Sequence, residues 1–379
     1  MAGWRRHLPR KRVVVFGVLV AAAALAGGLA STDRATRQAA TARLTSARMD
    51  IFRETAPQAP AALQARLAEL AAAYGEEVGI AVTDLSSGWT AGVDQDRPYP
   101  QQSVSKLWVA IALMRAVDEG RIDLNAWVTM TDEDRSVFFQ PVVAEYRQGT
   151  YATPISDLLR RALVESDNAA NDRLMRELGG PEGVRTALED MGLKDVKVGA
   201  YERDLQSLTA GLSWQSAYGF GRNFQAARAA LPVEARVAAA DAYVADPLDG
   251  ASPAAITAAL AALSRGELLS EESTIRVTGL MIASRTGPRR LKGGLPPGWT
   301  IAHKTGTGQD FQGASLGIND VGLLVAPDGR TYAVAVMMRR TRHAVPSRLA
   351  FMQSVSAAVA EQWGRDTGAQ DTSTQVVAD

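Results

Sequence analysis

Segments typical of β-strands concentrate near the two ends of this sequence, and helical patterns fill most of the chain between them. Residues 78–85 and 89–93 form the first group, in which apolar residues are bounded by turn residues. Residues 299–305 and the hairpin of 320–326 and 331–338 form the second group. Because a sheet must bury a face against other elements, the strands from both chain ends are expected to meet in one antiparallel sheet.

Helical patterns account for the remaining regular structure. Apolar residues recur at helical spacing in the segments 61–74, 103–120, 153–163, 168–178, 184–191, 233–244, 253–263, 270–284 and 347–363. Residues 123–192 show few strand signals, and much of 193–252 is irregular. We predict an α/β (α+β) fold in which a helical domain, residues 116–252, is inserted into the sheet formed from both chain ends.

The composition excludes several classes of function. The formal net charge is zero, so no electrostatic attraction to nucleic acid is expected. The sequence has no cysteine, which rules out disulfides and thiolate metal sites, and its 3 histidines leave few ligands for a metalloenzyme. We therefore expect neither a metal nor a cofactor.

Residues 1–30 are typical of an export signal. Basic residues precede an apolar run at 13–30, and the small residues at its end fit cleavage after Ala30. The run is close to the length of a membrane span, so an uncleaved signal anchor is the alternative. Either outcome predicts a periplasmic or otherwise extracytoplasmic protein. The remaining chain divides into a predicted linker or stalk at 31–59, a folded domain at 60–365 and a polar tail at 366–379.

A short polar turn runs into a long apolar helix at Ser103 and Lys106. The two residues are three positions apart, so their side chains share one helix face. A hydroxyl held beside an amine is the arrangement of an activated serine nucleophile. Taken alone, the pair is better explained by a serine at a helix N-terminus and a solvated lysine.

Two further motifs and one glutamate follow in order. Ser166-Asp167-Asn168 lies at a junction between two helices, and Lys304-Thr305-Gly306 ends a strand. Glu202 lies between them, 36 residues after Ser166. With these motifs in this order, the sequence resembles the class A serine β-lactamases over about residues 60–365.

The resemblance implies a role for each reactive residue. Ser103 would attack the β-lactam carbonyl, with Lys106 as a base. Ser166 would relay a proton to the leaving nitrogen. Glu202 would orient and deprotonate the water that frees the acyl-enzyme. Whether Lys106 or Glu202 is the base during acylation stays open.

The resemblance also implies how the substrate is held. Lys304-Thr305-Gly306 would receive the substrate carboxylate, and Asn168 would hydrogen-bond the substrate amide. The backbone N–H groups of Ser103 and Thr307 would form the oxyanion hole.

Several positions depart from the family pattern. Ala200 takes the place of an arginine that closes the Ω loop in many members, and Gln206 replaces an asparagine near Glu202. Gln206 is still expected to hold the water, from a different backbone position. The loop region 199–252 is longer than in typical members. Its aromatic residues are predicted to pack the loop rather than line the cleft; they are Trp214, Tyr218 and Phe220.

Further cleft residues are predicted from their positions. Arg290 lies where some members carry the arginine that binds the substrate carboxylate, and Arg348 on the closing helix is a second candidate. Phe138 and Phe139 lie where relatives often place an aromatic residue at the cleft, but packing of at least one of them in the core is the prediction here.

We predict a serine β-lactamase that hydrolyses the β-lactam amide through an acyl-enzyme on Ser103, as an enzyme of antibiotic resistance and β-lactam catabolism. Its partner would be a small β-lactam or a peptidoglycan-like peptide, and the protein would be a monomer. One alternative is a penicillin-binding D-Ala-D-Ala peptidase with slow deacylation, which Glu202 argues against. A second is a non-catalytic protein of the cell wall, which the retained motifs argue against.

A different nucleophile motif is also present. Residues 313–317 fit the pattern Gly-x-Ser-x-Gly of α/β-hydrolases, and His343 lies downstream. That motif requires a strand before it, a helix after it and a parallel sheet. Here a pair of predicted strands flanks it, so this match is rejected.

Overall fold

The computed structural model describes residues 57–368. The predicted export signal at 1–30 lies outside this range, as do the predicted stalk up to residue 56 and the tail after Gly368. No helix within the described range combines the length and the apolar character that a membrane crossing requires.

Strands predominate at both ends of the described chain, and helices between them. The strands are β1 (Val78–Asp84), β2 (Thr90–Val93), β3 (Tyr99–Pro100), β4 (Trp127–Thr131), β5 (Thr150–Pro154), β6 (Gly250–Ala251), β7 (Thr300–Thr307), β8 (Asp310–Phe311), β9 (Ala314–Ser315), β10 (Ile318–Val325) and β11 (Thr331–Met338). The helices are α1 (Ala61–Tyr74), α2 (Ser105–Asp118), α3 (Ile155–Arg160), α4 (Asn168–Glu177), α5 (Gly180–Asp190), α6 (Glu202–Thr209), α7 (Asn223–Ala230), α8 (Val233–Ala245), α9 (Pro253–Ser264), α10 (Glu271–Ile282) and α11 (Val345–Thr367).

Strands from both chain ends form one five-stranded sheet with the order β2-β1-β11-β10-β7. Each neighbouring pair is antiparallel. β1 pairs with β11 in a register that runs from Val78 opposite Met338 to Asp84 opposite Tyr332. The predicted architecture is therefore confirmed. β7 lies at the edge of this sheet, so one side of β7 is free to face other elements.

Helices cover both faces of the sheet. Successive side chains of a strand point to opposite faces. In β11, Val334 and Val336 belong to the core that α1 and α11 cover, whereas Ala333 and Ala335 belong to the core that α2 and α9 cover. Burial of both faces explains why β11 is apolar over most of its length rather than alternating.

α2 lies inside the larger of these two cores. Every residue from Leu107 to Met114 is buried, and a helix that is apolar on all sides can lie only in the protein interior. Lys106, near the start of α2, is also fully buried. The lysine of the predicted nucleophile pair therefore points into the protein rather than into solvent.

Two predictions for the inserted region are wrong. β4 and β5 form a hairpin within the segment predicted to be helical. These strands are rich in threonine, and apolar and polar residues do not alternate regularly along them. The apolar side chain of Trp127, for example, is 71% exposed. The segment predicted to be irregular contains α6 and α7 in addition to the predicted α8. Both are only 8 residues long, too short for an apolar helical period to stand out.

The two ends of the enlarged loop lie side by side. Val196 pairs with Ala251 in an isolated antiparallel bridge. The Lys197 N–H donates to the Gly250 carbonyl at 3.2 Å. The insertion is therefore closed at its base.

Gln101 connects the two ends of the insertion to the core. Its side chain is fully buried. Nε2 donates to the carbonyls of Lys197 at 2.9 Å and Asp249 at 2.7 Å, and Oε1 accepts from Trp108 Nε1 at 2.5 Å. One amide thus holds both ends of the loop against α2.

Replacing Gln101 by leucine is expected to lower the free energy of unfolding by about 3 kcal/mol, because two carbonyls and one indole N–H lose their buried partner. Denaturation in urea, followed by tryptophan fluorescence, measures this change. Gln225→Leu on the exposed side of α7 is the matched control and is expected to leave stability unchanged. Equal stability of the two variants would show that Gln101 does not hold the loop.

Candidate active site

The predicted nucleophile pair is assembled in the structure. Ser103 lies in a 3-10 turn, Gln102–Val104, that leads directly into α2. Lys106 Nζ donates to Ser103 Oγ at 2.7 Å. Because Lys106 is buried and Ser103 is partly exposed, the amine reaches the hydroxyl from the protein interior.

The turn before Ser103 packs tightly against β7. Gln102 has a φ of 54°, in the left-handed region that residues other than glycine rarely adopt. A Cβ atom at Gly306 would lie 2.3 Å from the Gln101 carbonyl oxygen. Only glycine therefore lets β7 come this close to the turn, which explains the glycine of Lys304-Thr305-Gly306.

Glu202 forms a buried ion pair with Lys106. Glu202 was expected in an irregular loop, but it is the first residue of α6. Its backbone N–H donates to Asp172 Oδ1 at 2.6 Å, and that of Arg203 donates to Asp172 Oδ2 at 3.2 Å. Asp172 on α4 thus acts as a cap for α6 and fixes the position of Glu202. Burial and the nearby Glu202 carboxylate raise the pKa of Asp172 to about 7.

The second serine and lysine also contact each other. Lys304 Nζ donates to Ser166 Oγ at 2.9 Å. Ser166 has a φ of 64° and ends the π-helical turn Arg161–Glu165. Burial lowers the pKa of Lys304 well below its usual value, and the nearby charge of Lys106 lowers it further. Strained backbone at both Gln102 and Ser166 is consistent with a functional site.

The residues that follow Ser166 have different tasks. Asp167 is buried and caps α4, because its Oδ1 accepts the Ala170 N–H at 2.9 Å. Burial raises the pKa of Asp167 to about 6. Asn168 Nδ2 donates to the Val137 carbonyl at 2.8 Å. The middle residue of the motif therefore holds the backbone, while its two neighbours face the cleft.

These elements surround a cleft of about 500 Å³, a size typical of sites for small molecules. The predicted site residues that line it are Ser103, Ser166, Asn168, Gln206, Arg290, Thr305 and Thr307. Lys106 and Lys304 lie behind this lining and reach it through the two serine hydroxyls. Glu202 is buried beside Lys106.

Phe138 and Phe139 both line the cleft. They are 43% and 56% exposed, so the prediction that at least one is a core residue is wrong. Phe138 does contact the buried Phe224, edge to face, with ring centres 5.1 Å apart. Residue type alone did not separate a core aromatic from a cleft aromatic, because both need apolar neighbours.

Gln206 lies beside Glu202 but is held by other amides. Its Nε2 donates to Gln102 Oε1 at 3.0 Å and approaches Glu202 Oε2 at 3.5 Å. Its Oε1 accepts from Gln309 Nε2 at 3.0 Å. Gln206 therefore connects the turn before Ser103 to the segment after β7.

The structure separates the two candidate arginines. Arg290 lines the cleft; its Nη1 donates to the carbonyls of Gly306 and Asn319, and its Nη2 donates to Thr307 Oγ1 at 2.7 Å. Arg348 lies outside the cleft lining and donates to the His343 carbonyl at 2.6 Å. Of the two, only Arg290 lies in the cleft.

The aromatic residues of the insertion pack against each other and against neighbouring side chains. Trp214 and Tyr218 surround the buried Phe224, and Phe220 lies under the Arg135 guanidinium at 4.3 Å. None of the insertion's three predicted packing residues lines the cleft described above. The packing prediction for Trp214, Tyr218 and Phe220 is therefore confirmed.

The Gly-x-Ser-x-Gly match does not form a catalytic site. Ser315 is buried in the small hairpin of β8 and β9, where it contacts Asp310 and Arg348. His343 Nε2 lies 2.8 Å from the Tyr74 carbonyl oxygen. The rejection of this motif is therefore confirmed.

The structure adds a buried polar cluster that the sequence analysis missed. Asp249 Oδ2 accepts the Gln102 N–H at 2.6 Å, and Oδ1 accepts from Tyr243 Oη at 2.9 Å. Gln102 Nε2 also donates to Tyr243 Oη at 2.6 Å. All three residues are buried. These residues are far apart in the sequence, so no local pattern predicts their contact. The sequence indicated it only through the presence of an acid at the end of the insertion.

Comparisons with known proteins agree with this geometry. A family model described as the β-lactamase enzyme family matches residues 62–363. The extended-spectrum β-lactamase PER-1 of Pseudomonas aeruginosa is 28% identical over 307 residues, which cover 78% of this chain and 87% of that protein. The β-lactamase FAR-1 of Nocardia farcinica is 26% identical and covers 78% of this chain and 81% of its own length.

Solved structures show the same fold. A β-lactamase from Chitinophaga pinensis superposes with a TM-score of 0.65 at 24% identity, covering 79% of this chain and 99% of that one. An ancestral class A β-lactamase superposes with a TM-score of 0.64 at 27% identity, with coverage of 79% and 99%.

The chain belongs to the β-lactamase enzyme family. Within it, the chain is a class A serine β-lactamase, a hydrolase of antibiotic resistance, as the three motifs predicted. The alternative of a penicillin-binding peptidase is not favoured.

The buried cluster predicts a pH dependence of stability. Burial raises the pKa of Asp249 from 3.8 to about 7, despite the hydrogen bonds from Tyr243 and Gln102. Between these two values the unfolded chain has lost a proton that the folded chain retains, so the free energy of unfolding falls as the pH rises.

From about pH 5 to 7, the wild type is expected to lose about 2 kcal/mol more stability than Asp249→Asn, whose amide does not titrate. That amide can accept the Gln102 N–H with its oxygen and donate to Tyr243 Oη with its nitrogen. Urea denaturation across this range measures the difference. Asp195→Asn at an exposed position is expected to follow the wild type. Parallel profiles for wild type and Asp249→Asn would contradict the prediction.

Proposed function

We propose that this β-lactamase opens the β-lactam ring through an acyl-enzyme on Ser103. One observation carries the proposal: Lys106 Nζ contacts Ser103 Oγ and the Glu202 carboxylate at the same time. A proton that leaves the Ser103 hydroxyl therefore has a direct path to Lys106, and Glu202 can accept a proton from Lys106. This path allows either residue to act as the base for acylation.

Acylation forms the bond between Ser103 Oγ and the β-lactam carbonyl carbon and breaks the amide C–N bond. The leaving nitrogen needs a proton, and Ser166 Oγ supplies it. Lys304 donates a hydrogen bond to that oxygen and stabilises the negative charge that develops when the proton leaves. Because Lys304 is buried and has a lowered pKa, it can also return a proton to Ser166.

The substrate is held between β7 and the Ser166-Asp167-Asn168 turn. The backbone N–H groups of Ser103 and Thr307 bind the carbonyl oxygen as the oxyanion forms. Lys304-Thr305-Gly306 and Arg290 receive the ring carboxylate at one end of the cleft. Asn168 binds the amide of the acylamino side chain. Cleft-lining positions of Ser103, Thr307, Arg290 and Asn168 support this assignment.

Hydrolysis of the ester returns the enzyme to its starting state. Glu202 accepts a proton from a water molecule, whose oxygen attacks the ester carbonyl. The bond between that carbon and Ser103 Oγ then breaks, and the proton passes from Glu202 through Lys106 to Ser103 Oγ. Gln206 lies next to Glu202 and orients this water with its amide.

Glu202→Gln is expected to lower steady-state nitrocefin turnover by about a thousandfold while Ser103 still becomes acylated, because an amide cannot take the proton of the water. Mass spectrometry after penicillin treatment should show the adduct on Ser103. Glu234→Gln on the exposed side of α8 is the control and should turn over normally. Normal turnover by Glu202→Gln would refute the role of Glu202, and a wild type that stalls after one acylation would refute the deacylation step.

The protein is proposed to act outside the cytoplasm as a monomer, with residues 1–30 directing its export. The basic and apolar pattern of this segment supports export. The proposed catalytic residues contact one another within one chain, so the site needs no second copy to assemble.

In a Gram-negative host, cell fractionation is expected to recover active enzyme from the periplasm or the membrane. A soluble form with the mass of a chain that starts at residue 31 would show cleavage of the signal. A membrane-bound form with the mass of the full chain would show an anchor. Active enzyme of full mass found only in the cytoplasm would contradict the proposal.

A further inference from the structure

The insertion contributes one cationic side chain to the cleft. Arg228 on α7 lines the cleft together with Ser103 and Gln206. Its Nη1 donates to Gln309 Oε1 at 3.0 Å, and its Nη2 donates to the Asp310 carbonyl at 2.5 Å. Each of these nitrogens carries a second N–H. The contacts hold the guanidinium in place and leave donors for a ligand.

The charge of Arg228 is not neutralised by an ion pair within residues 57–368. Asp310 lies on the segment that Arg228 contacts and also lines the cleft; its carboxylate accepts a hydrogen bond from Ser315 Oγ and offsets part of the charge of Arg228. Glu165, the other acid of the cleft lining, pairs with Arg160 at 2.6 Å. A second cation, Arg236, lies close by, over the ring of Phe311 at 4.5 Å. This part of the cleft is therefore positive.

Arg228 and Arg290 both line the cleft but contact different stretches of the chain. Arg290 contacts Gly306 and Thr307 at the end of β7, whereas Arg228 contacts Gln309 and Asp310 further along the chain. In a penicillin, the ring carboxylate and the acylamino side chain lie on opposite sides of the fused rings. With the ring carboxylate at Arg290, the acylamino side chain extends toward Arg228.

We propose that Arg228 is a specificity-determining residue that binds an anionic group on the acylamino side chain of the β-lactam. The enzyme thus favours β-lactams with two negative charges, one on the ring system and one on the side chain. This inference rests on the proposed function, because it uses the substrate orientation assigned there. A charge-assisted hydrogen bond to a guanidinium is the chemical basis of the preference.

Two penicillins that differ in one group test the proposal. Carbenicillin is benzylpenicillin with a carboxylate on the side-chain α-carbon, so the ratio of their kcat/KM values reports recognition of that carboxylate. Arg228→Gln is expected to lower the ratio of carbenicillin to benzylpenicillin about tenfold. Arg228→Lys, which keeps the charge, should retain most of the preference.

Two further variants separate recognition from general damage. Arg222→Gln, at an exposed position just before α7, should leave both substrates unaffected. Arg290→Gln should lower kcat/KM for both penicillins by the same factor, since both carry the ring carboxylate. In the wild type, the ratio should also fall as salt rises from about 0.05 to 0.5 M, because salt screens a partly exposed ion pair. This measurement needs no variant to fold.

The outcomes are distinct. If Arg228→Gln lowers kcat/KM equally for both penicillins, Arg228 only supports Gln309. If the variant changes neither kcat/KM nor their ratio, Arg228 does not contact the acylamino side chain. Either result overturns the proposal. If the wild type turns over benzylpenicillin and only the ratio fails to respond, the proposed function stands and this inference falls. If the wild type turns over neither penicillin, the proposed function falls and this inference falls with it.

Discussion

The site depends on a buried ion pair between Lys106 and Glu202. Both side chains are almost fully removed from solvent, and removing one partner of such a pair costs about 3–5 kcal/mol because the other charge is left unpaired. The pair joins the central helix α2 to the first residue of α6. The same contact therefore brings the proposed base to the proposed nucleophile and holds the enlarged loop against the core. A substitution of Lys106 or Glu202 therefore changes both the stability of the fold and the geometry of the site.

Three further buried acids organise the backbone around that pair. Asp167, Asp172 and Asp249 each accept backbone N–H groups from a segment of the site, and burial raises the pKa of each. Ala200 stands where many family members use an arginine to close the Ω loop. In this protein the loop is closed by amide and phenol hydrogen bonds from Gln101, Gln102 and Tyr243. Arg185 on α5 also holds the start of the insertion, because its Nη1 donates to the carbonyls of Val198 at 3.2 Å and Gly199 at 3.1 Å. With its two ends fixed, the insertion contributes Arg228 to the cleft.

The order of the motifs made much of the site predictable. The spacing of Ser103 and Lys106 on one helix face allows their contact, since side chains three positions apart are neighbours in a helix. The contact of Lys304 with Ser166 was not predicted, because it joins a sheet edge to a helix junction. The prediction for Phe138 and Phe139 failed because aromatic residues suit both a core and a cleft wall. The β4–β5 hairpin was missed because its strands lack an apolar period.

The sequence by itself determined the pairing of the two chain ends in one sheet, the apolar helix α2 and the residues proposed to react, because each of these follows from a local pattern or an ordered motif. Only the tertiary structure decided which arginine lies in the cleft, how Asp172 positions Glu202, and how Gln102, Tyr243 and Asp249 meet. Those contacts join residues far apart in the chain, and their geometry depends on how whole elements pack. A pattern read over a few residues carries no information about such distances.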